Sequence, residues 1–217
     1  MRRQVDWGLC LVTDRRLAGA RSLEDLVRAA VRGGVTVVQL REKECGTREY
    51  VELARGMRAF LAPAGIPLVV NDRVDVALAA RADGVHLGQS DLDPRDARFL
   101  LGPDAIVGLS VETLEQAEAA RTLEVDYLGV SPIFPTPTKT DTVTEWGIGG
   151  LAALRAASRQ VLVAIGGISV ANAAQVMKAG ADGIAVVSAI CGAADPERAA
   201  RQLRRIVDET RKGRSGS

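Results

Sequence analysis

Two short carboxylates, three cations and a glycine pair set out the chemistry available to this sequence. Asp72 and Asp91 each stand just past a short apolar run, in Asn71-Asp72-Arg73 and Gln89-Ser90-Asp91. Such oxygen donors suit Mg²⁺, which takes one or two carboxylates and completes its shell with water and phosphate oxygens. Asp72 has a second use open to it, as the cap of the helix that follows. Arg41, Lys43 and Lys139 are the cationic counterpart. An Arg can grip a phosphate through two N–H groups, and a Lys supplies a point charge; each is also an ordinary solvated loop residue where no anion is near. Gly166-Gly167 and, after the next apolar run, Val187-Ser188 offer backbone amides to a second anion. Ahead of them lies the stretch 131–141, whose three prolines rule out a helix or a central strand. They stiffen a loop that carries Thr136, Thr138 and Lys139. One anion site with a metal pair and another built of backbone amides suit two phosphorylated substrates.

Other chemistries are excluded or weakened. With one histidine, His86, no Ser-His-Asp set is supported and no histidine metal cluster is possible. Ser110 therefore reads as a hydrogen-bond donor to substrate, and His86 as a core or rim residue bonded to backbone. The three cysteines, Cys10, Cys45 and Cys191, show no CxxC spacing, which argues against a disulfide framework or a zinc site and for a reducing cytoplasm. Cys10 fits as a small apolar filler. Lys+Arg 28 against Asp+Glu 27 leaves a net charge of +1, so neither nucleic acid nor an anionic membrane is expected as partner. No apolar run is long enough for a membrane span. Small-molecule substrates remain, and homo-oligomer formation stays open.

These residues need elements to position them. Apolar runs alternate with amphipathic stretches along the whole chain. Runs begin near Gly8, Val35, Leu68, Gly84, Ala105, Tyr127, Val161 and Gly183. Between them come helical patterns, such as the one capped by Ser22 with Asp25 three residues on, and the stripe Tyr50, Leu53, Ala54, Met57, Leu61. The strand runs are continuous, as buried parallel strands are. Eight such units predict a single (β/α)₈ TIM barrel over residues 1–210, with a basic, disordered tail from Arg211 to Ser217. In that fold the site lies at the C-terminal strand ends, where the candidate carboxylates, cations, glycines and Ser110 fall.

At these residues the chain resembles the thiamine-phosphate synthase family, from Gly8 to about Gly192. Gln39-Leu40-Arg41-Glu42-Lys43 is similar to its QLRxK segment, and Asn71 to Asp75 and Gly84 to Asp91 to its NDRxD and GVHLGQxD segments. Phe134 to Lys139 is similar to its FPTxTK loop; Ile165 to Ile168 and Val186 to Ile190 complete the set. The resemblance implies a transferase that joins an aminopyrimidine diphosphate to a thiazole phosphate and releases diphosphate by way of a pyrimidine cation. It assigns the pyrimidine diphosphate to Gln39, Leu40, Arg41, Glu42, Lys43 and Asn71, with Ser110 on the pyrimidine and Mg²⁺ on Asp72 and Asp91. Thr136, Pro137, Thr138, Gly167, Val187 and Ser188 would hold the thiazole phosphate, and Lys139 the departing diphosphate. Arg41, Lys43, Lys139 and Ser110 are the implied catalytic groups, and the loop after Ser131 a lid mobile in the empty enzyme. A thiazole tautomerase of similar fold would need the phosphate site but neither the metal carboxylates nor the diphosphate clamp. A ligand-sensing barrel without turnover would be expected to have lost some of this set.

Overall fold

The computed structural model describes residues 4–136 and 145–215. Eight parallel strands close into a barrel in chain order. They are β1 Leu9–Val12, β2 Val37–Leu40, β3 Leu68–Asn71, β4 Gly84–Leu87, β5 Ile106–Val111, β6 Tyr127–Val130, β7 Leu162–Ile165 and β8 Gly183–Val186. The helices are α1 Arg15–Ala18, α2 Leu23–Arg32, α3 Thr47–Leu61, α4 Val74–Ala80, α5 Pro94–Leu101, α6 Leu114–Ala119, α7 Gly147–Ala157, α8 Ala173–Lys178, α9 Ser188–Cys191 and α10 Pro196–Ser215. This is the (β/α)₈ barrel that the alternating runs predict. No helix among the described residues is long and apolar enough to cross a membrane.

Each strand feeds two dry interiors. Cys10, Val37, Val69, Ile106 and Val163 fill the barrel, while Leu11, Val38, Val70, Val107 and Leu162 pack under the helices. Continuous apolar runs follow from that double burial. The uppermost inward positions break the rule, with Gln39, Asn71 and His86 buried there.

The opposite end of the barrel repeats one device four times. The residue just before each even-numbered strand exchanges two bonds with the preceding odd strand. Thr36 N donates to Leu9 O at 2.9 Å, and Leu9 N to Thr36 Oγ1 at 3.1 Å. Asp83 with Leu68, Asp126 with Val107 and Asp182 with Leu162 do the same through a carboxylate oxygen, at 2.8–2.9 Å. Arg98 reinforces one of these: it is buried, and its Nη2 lies 2.6 Å from Asp126 Oδ2.

One helix bound differs from expectation. α8 starts at Ala173, because Ser169 N donates to Asn172 Oδ1 at 2.8 Å and Asn172 Nδ2 to Gly167 O at 2.9 Å, forming a turn first. α10 passes the expected end near Thr210 and runs to Ser215. Residues 211–214 are therefore helical and not a disordered tail: Arg211 bonds Asp6 at 2.7 Å and also Asp182 O, and Arg214 bonds Ala181 O at 3.0 Å.

Candidate active site

A cavity of about 620 Å³ opens at the C-terminal ends of the strands. It gathers side chains that are far apart in sequence: Gln39, Arg41, Lys43, Asn71, Asp72, Asp91, Ser110, Thr136, Gly167, Val187 and Ser188 all line it. Leu40 and Glu42 do not. Strand alternation turns Leu40 outward, fully buried beneath the helices. Glu42 faces a neighbouring cavity, where its carboxylate meets Arg15 at 3.1 Å. Burial pushes the Glu42 carboxyl up against the pull of Arg15. Their side chains thus do not line the main cavity, although the resemblance places both in the pyrimidine-diphosphate segment. Pro137, Thr138 and Lys139, and with them the lid, lie outside the described residues.

The charged side of the cavity is built by β2, β3 and β4. Thr13, fully buried past β1, fixes the backbone of Arg41: Arg41 N donates to its Oγ1 at 2.9 Å, and Thr13 N to Gln39 O at 3.0 Å. Tyr50 of α3 donates to Leu40 O at 2.7 Å and so pins the end of β2. Asp72 follows β3 with φ +62°, in a three-residue turn closed by Arg73 N donating to Asn71 O at 2.8 Å. A non-glycine residue in such a γ-turn is strained, and strain of this kind gathers at functional sites. The turn also excludes the capping role for Asp72, since α4 begins from Arg73 with no side-chain cap.

The turn aims Asp72 at two neighbours. Lys43 Nζ lies 2.6 Å from its Oδ2, and the Asp91 carboxyl is close enough to share a hydrogen bond with it. Asp91 is held in turn by Gly88 N, which donates to its Oδ2 at 2.6 Å. Burial lifts the Asp91 carboxyl above the usual range and the like charge of Asp72 lifts it further, while Gly88 and Lys43 work the other way. Two carboxylates this close, with Lys43 paired to one of them, form a site that favours added positive charge.

The facing side, from β6 to β8, is made of backbone. Ile133 N donates to Ile165 O at 2.9 Å and Phe134 N to Gly166 O at 3.1 Å, so the start of the proline loop lies along the end of β7. Gly167 has φ +64°, and a Cβ there would meet Phe134 Cβ at 2.7 Å and Pro135 O at 2.8 Å. Glycine is required by that approach as well as by the dihedral. The far end of the loop is anchored by Trp146 N donating to Pro132 O at 2.9 Å. Val187 and Ser188 open the short helix α9 beside it, in the position where barrels of this kind commonly bind phosphate.

The family model for thiamine monophosphate synthase matches residues 9–190. The chain belongs to the thiamine monophosphate synthase family. It is 59% identical over 200 residues to the thiamine-phosphate synthase of Albidiferax ferrireducens, covering 92% of this chain and 91% of that one. It is 52% identical over 201 residues to that of Syntrophomonas wolfei, covering 93% and 96%. A solved structure of thiamine phosphate pyrophosphorylase from Pyrococcus furiosus matches with a TM-score of 0.86 at 40% identity, over 94% of this chain and 97% of that one. A 3-hexulose-6-phosphate synthase structure, at 21% identity and a TM-score of 0.66, shares the fold alone. Members of the thiamine monophosphate synthase family are transferases.

Three residues that support this site were not among the site candidates read from the sequence. Thr13 and Tyr50 act by gripping the backbone of β2, which no motif signals. His86 has its ring nitrogens 2.8 Å from Tyr127 Oη and 2.8 Å from Ser110 Oγ, two side-chain hydroxyls in place of the expected backbone partners. Cys10 does sit inside the barrel as the filler anticipated, its thiol pushed up to about 12 by burial.

Proposed function

We propose that this chain condenses 4-amino-2-methyl-5-(diphosphomethyl)pyrimidine with a thiazole phosphate, plain or carboxylated, to give thiamine phosphate and diphosphate, with loss of CO₂ where the thiazole is carboxylated. The observation that carries the reading is one cavity with a charged half facing a backbone half. Two differently phosphorylated substrates can meet across it. Arg41 and Lys43 would hold the pyrimidine's diphosphate, Ser110 the pyrimidine ring, and Thr136, Gly167, Val187 and Ser188 the thiazole phosphate.

The donor set fits Mg²⁺. Asp72 and Asp91 supply the one or two carboxylates that Mg²⁺ takes from a protein, leaving the remaining positions to phosphate oxygens and water. Among the described residues no group of three or more His, Cys, Asp and Glu forms a dedicated metal cage. Bound there, Mg²⁺ would neutralise charge on the diphosphate as it leaves.

The reaction needs no base. The bond from the pyrimidine methylene carbon to the diphosphate oxygen breaks, and its electron pair departs with the diphosphate. The lone pair of the thiazole nitrogen then forms the new carbon–nitrogen bond. Arg41, Lys43 and Lys139 would stabilise the negative charge as it gathers on the leaving group, and exclusion of water from the cavity would protect the cation. A barrel with one histidine, itself engaged by two hydroxyls, agrees with a step of that kind.

The deciding experiment mixes both heterocyclic phosphates with Mg²⁺ and follows diphosphate release. Release that requires both substrates is expected. Folded protein that releases none would turn the reading toward the tautomerase.

A further inference from the structure

His86 joins a buried chain of polar side chains that ends in the cavity. The sheet register places Asn71, His86, Gly108 and Tyr127 in one row across β3 to β6. Gly108 leaves no side chain between the two rings; a Cβ there would lie 2.3 Å from the Tyr127 ring. The His86 and Tyr127 rings therefore stack with centroids 5.4 Å apart, and Trp7 backs Tyr127 at 4.4 Å. Nδ1 of His86 faces Tyr127 Oη and Nε2 faces Ser110 Oγ, both at 2.8 Å. Gln39, also on the cavity wall, shares a side-chain hydrogen bond with Tyr127.

Elementary acidity gives this chain a direction. A neutral imidazole has one nitrogen lone pair to offer, and two hydroxyls compete for it. The phenol of Tyr127, an acid of pKa about 10, is a far stronger donor than the alcohol of Ser110. Burial pushes the Tyr127 phenol still higher, so it stays protonated, and the Gln39 contact works the opposite way, as an amide N–H donating to the phenol oxygen does. Tyr127 then gives its hydrogen to Nδ1. Nε2 carries the imidazole proton and donates it to Ser110 Oγ, and the Ser110 hydrogen is left to point into the cavity.

We infer that His86 is a positioning residue. As a neutral imidazole protonated on Nε2, it turns the Ser110 hydroxyl to donate to a ring nitrogen of the pyrimidine. This rests on the reading of Ser110 as the pyrimidine contact. It assigns His86 no proton transfer, and within it Tyr127 and Gln39 serve to fix its tautomer.

Because the chain has a single histidine, the imidazole can be observed without assignment. Tag-free protein labelled with ¹⁵N in histidine, examined near neutral pH by two-bond ¹H–¹⁵N correlation, is expected to show a protonated Nε2 and a bare Nδ1. A protonated Nδ1, or an imidazolium, would overturn the inference. His86→Gln keeps an N–H at the place of Nε2 and is expected to hold kcat/KM within roughly fivefold of the parent. His86→Phe, which leaves Ser110 and Tyr127 unpaired, is expected to lose about 10–100-fold. Equal losses in the two variants would reduce His86 to packing and overturn the positioning role. The spectrum is taken on unmodified protein without substrate, so its failure is separate from a failure of the proposed activity, which the diphosphate assay reads by itself.

Discussion

The two ends of this barrel are built on opposite plans. At the N-terminal ends of the strands, one hydrogen-bonding device recurs at Thr36, Asp83, Asp126 and Asp182, each closing a strand pair with two bonds. At the C-terminal ends no two strands finish alike: a strained aspartate follows β3, a proline loop follows β6 and a glycine pair follows β7. Repetition holds the fold, and irregularity holds the ligands. Conservation of shape is satisfied by identical solutions, while the two substrates and the metal proposed for the upper end would need distinct ones.

This contrast can be broken by substitutions that move one property and leave the other. The largest effect is expected at the upper end. Lys139→Ala should lower turnover by about 10²–10³, the scale for one charge-stabilising donor, with an unchanged melting temperature. Near-normal turnover in a steady-state assay would remove Lys139 from its role. The mirror experiment is Arg98→Ala at the lower end, which strips a buried ion pair with side chains 9% and 16% exposed. It should cost about 3 kcal/mol in a denaturant titration, since breaking one partner leaves an uncompensated buried charge. The residual folded protein should keep its kcat. A fall in kcat with stability intact would blur the division of labour between the ends.

Smaller effects sharpen the comparison. Asp91→Ala should raise the Mg²⁺ concentration for half-maximal activity by roughly tenfold or more, the scale of one lost charge-assisted contact. An unchanged metal titration would count against the pair Asp72 and Asp91. The mildest prediction concerns Asp6. Burial pushes its carboxyl up, but hydrogen bonds from Arg211, Arg204 and Gly8 N outweigh that and hold it at about 2. A depressed native value means that the clamp stabilises fully above the usual carboxylate range and weakens as pH falls from about 4 toward 2. Asp6→Asn should flatten this acid limb of the melting curve without touching the neutral-pH rate.

How much of this was legible depends on the distance over which each feature is determined. The strands were visible because double burial writes itself into consecutive residues, and the α2 cap because Ser22 and Asp25 lie one turn apart. The end of α10 was not, since Arg211 and Arg214 are kept helical by partners near Asp6 and Asp182 at remote positions in the chain. Asp72 read as a cap or a ligand, and the backbone turn at φ +62° removes the cap. Leu40 and Glu42 entered as part of a segment, although period-two alternation already places Leu40 on the face opposite Gln39. His86 was misjudged for want of register: the sequence shows Gly108 inside a strand run, a sign of close approach, but not which rings approach.

The paired closures at the lower end also say where the covalent chain matters least. Each pair of bonds lies within one continuous stretch, from β1 to β2, β3 to β4, β5 to β6, or β7 to β8. New termini opened in the turns between those stretches, such as residues 62–67 before β3 or 158–161 before β7, leave all four stretches whole. Termini opened at 33–36 or 81–83 would send the two partners of one closure to opposite ends of the polypeptide. The barrel is thus a ring of four staples, and its permissible seams fall between staples.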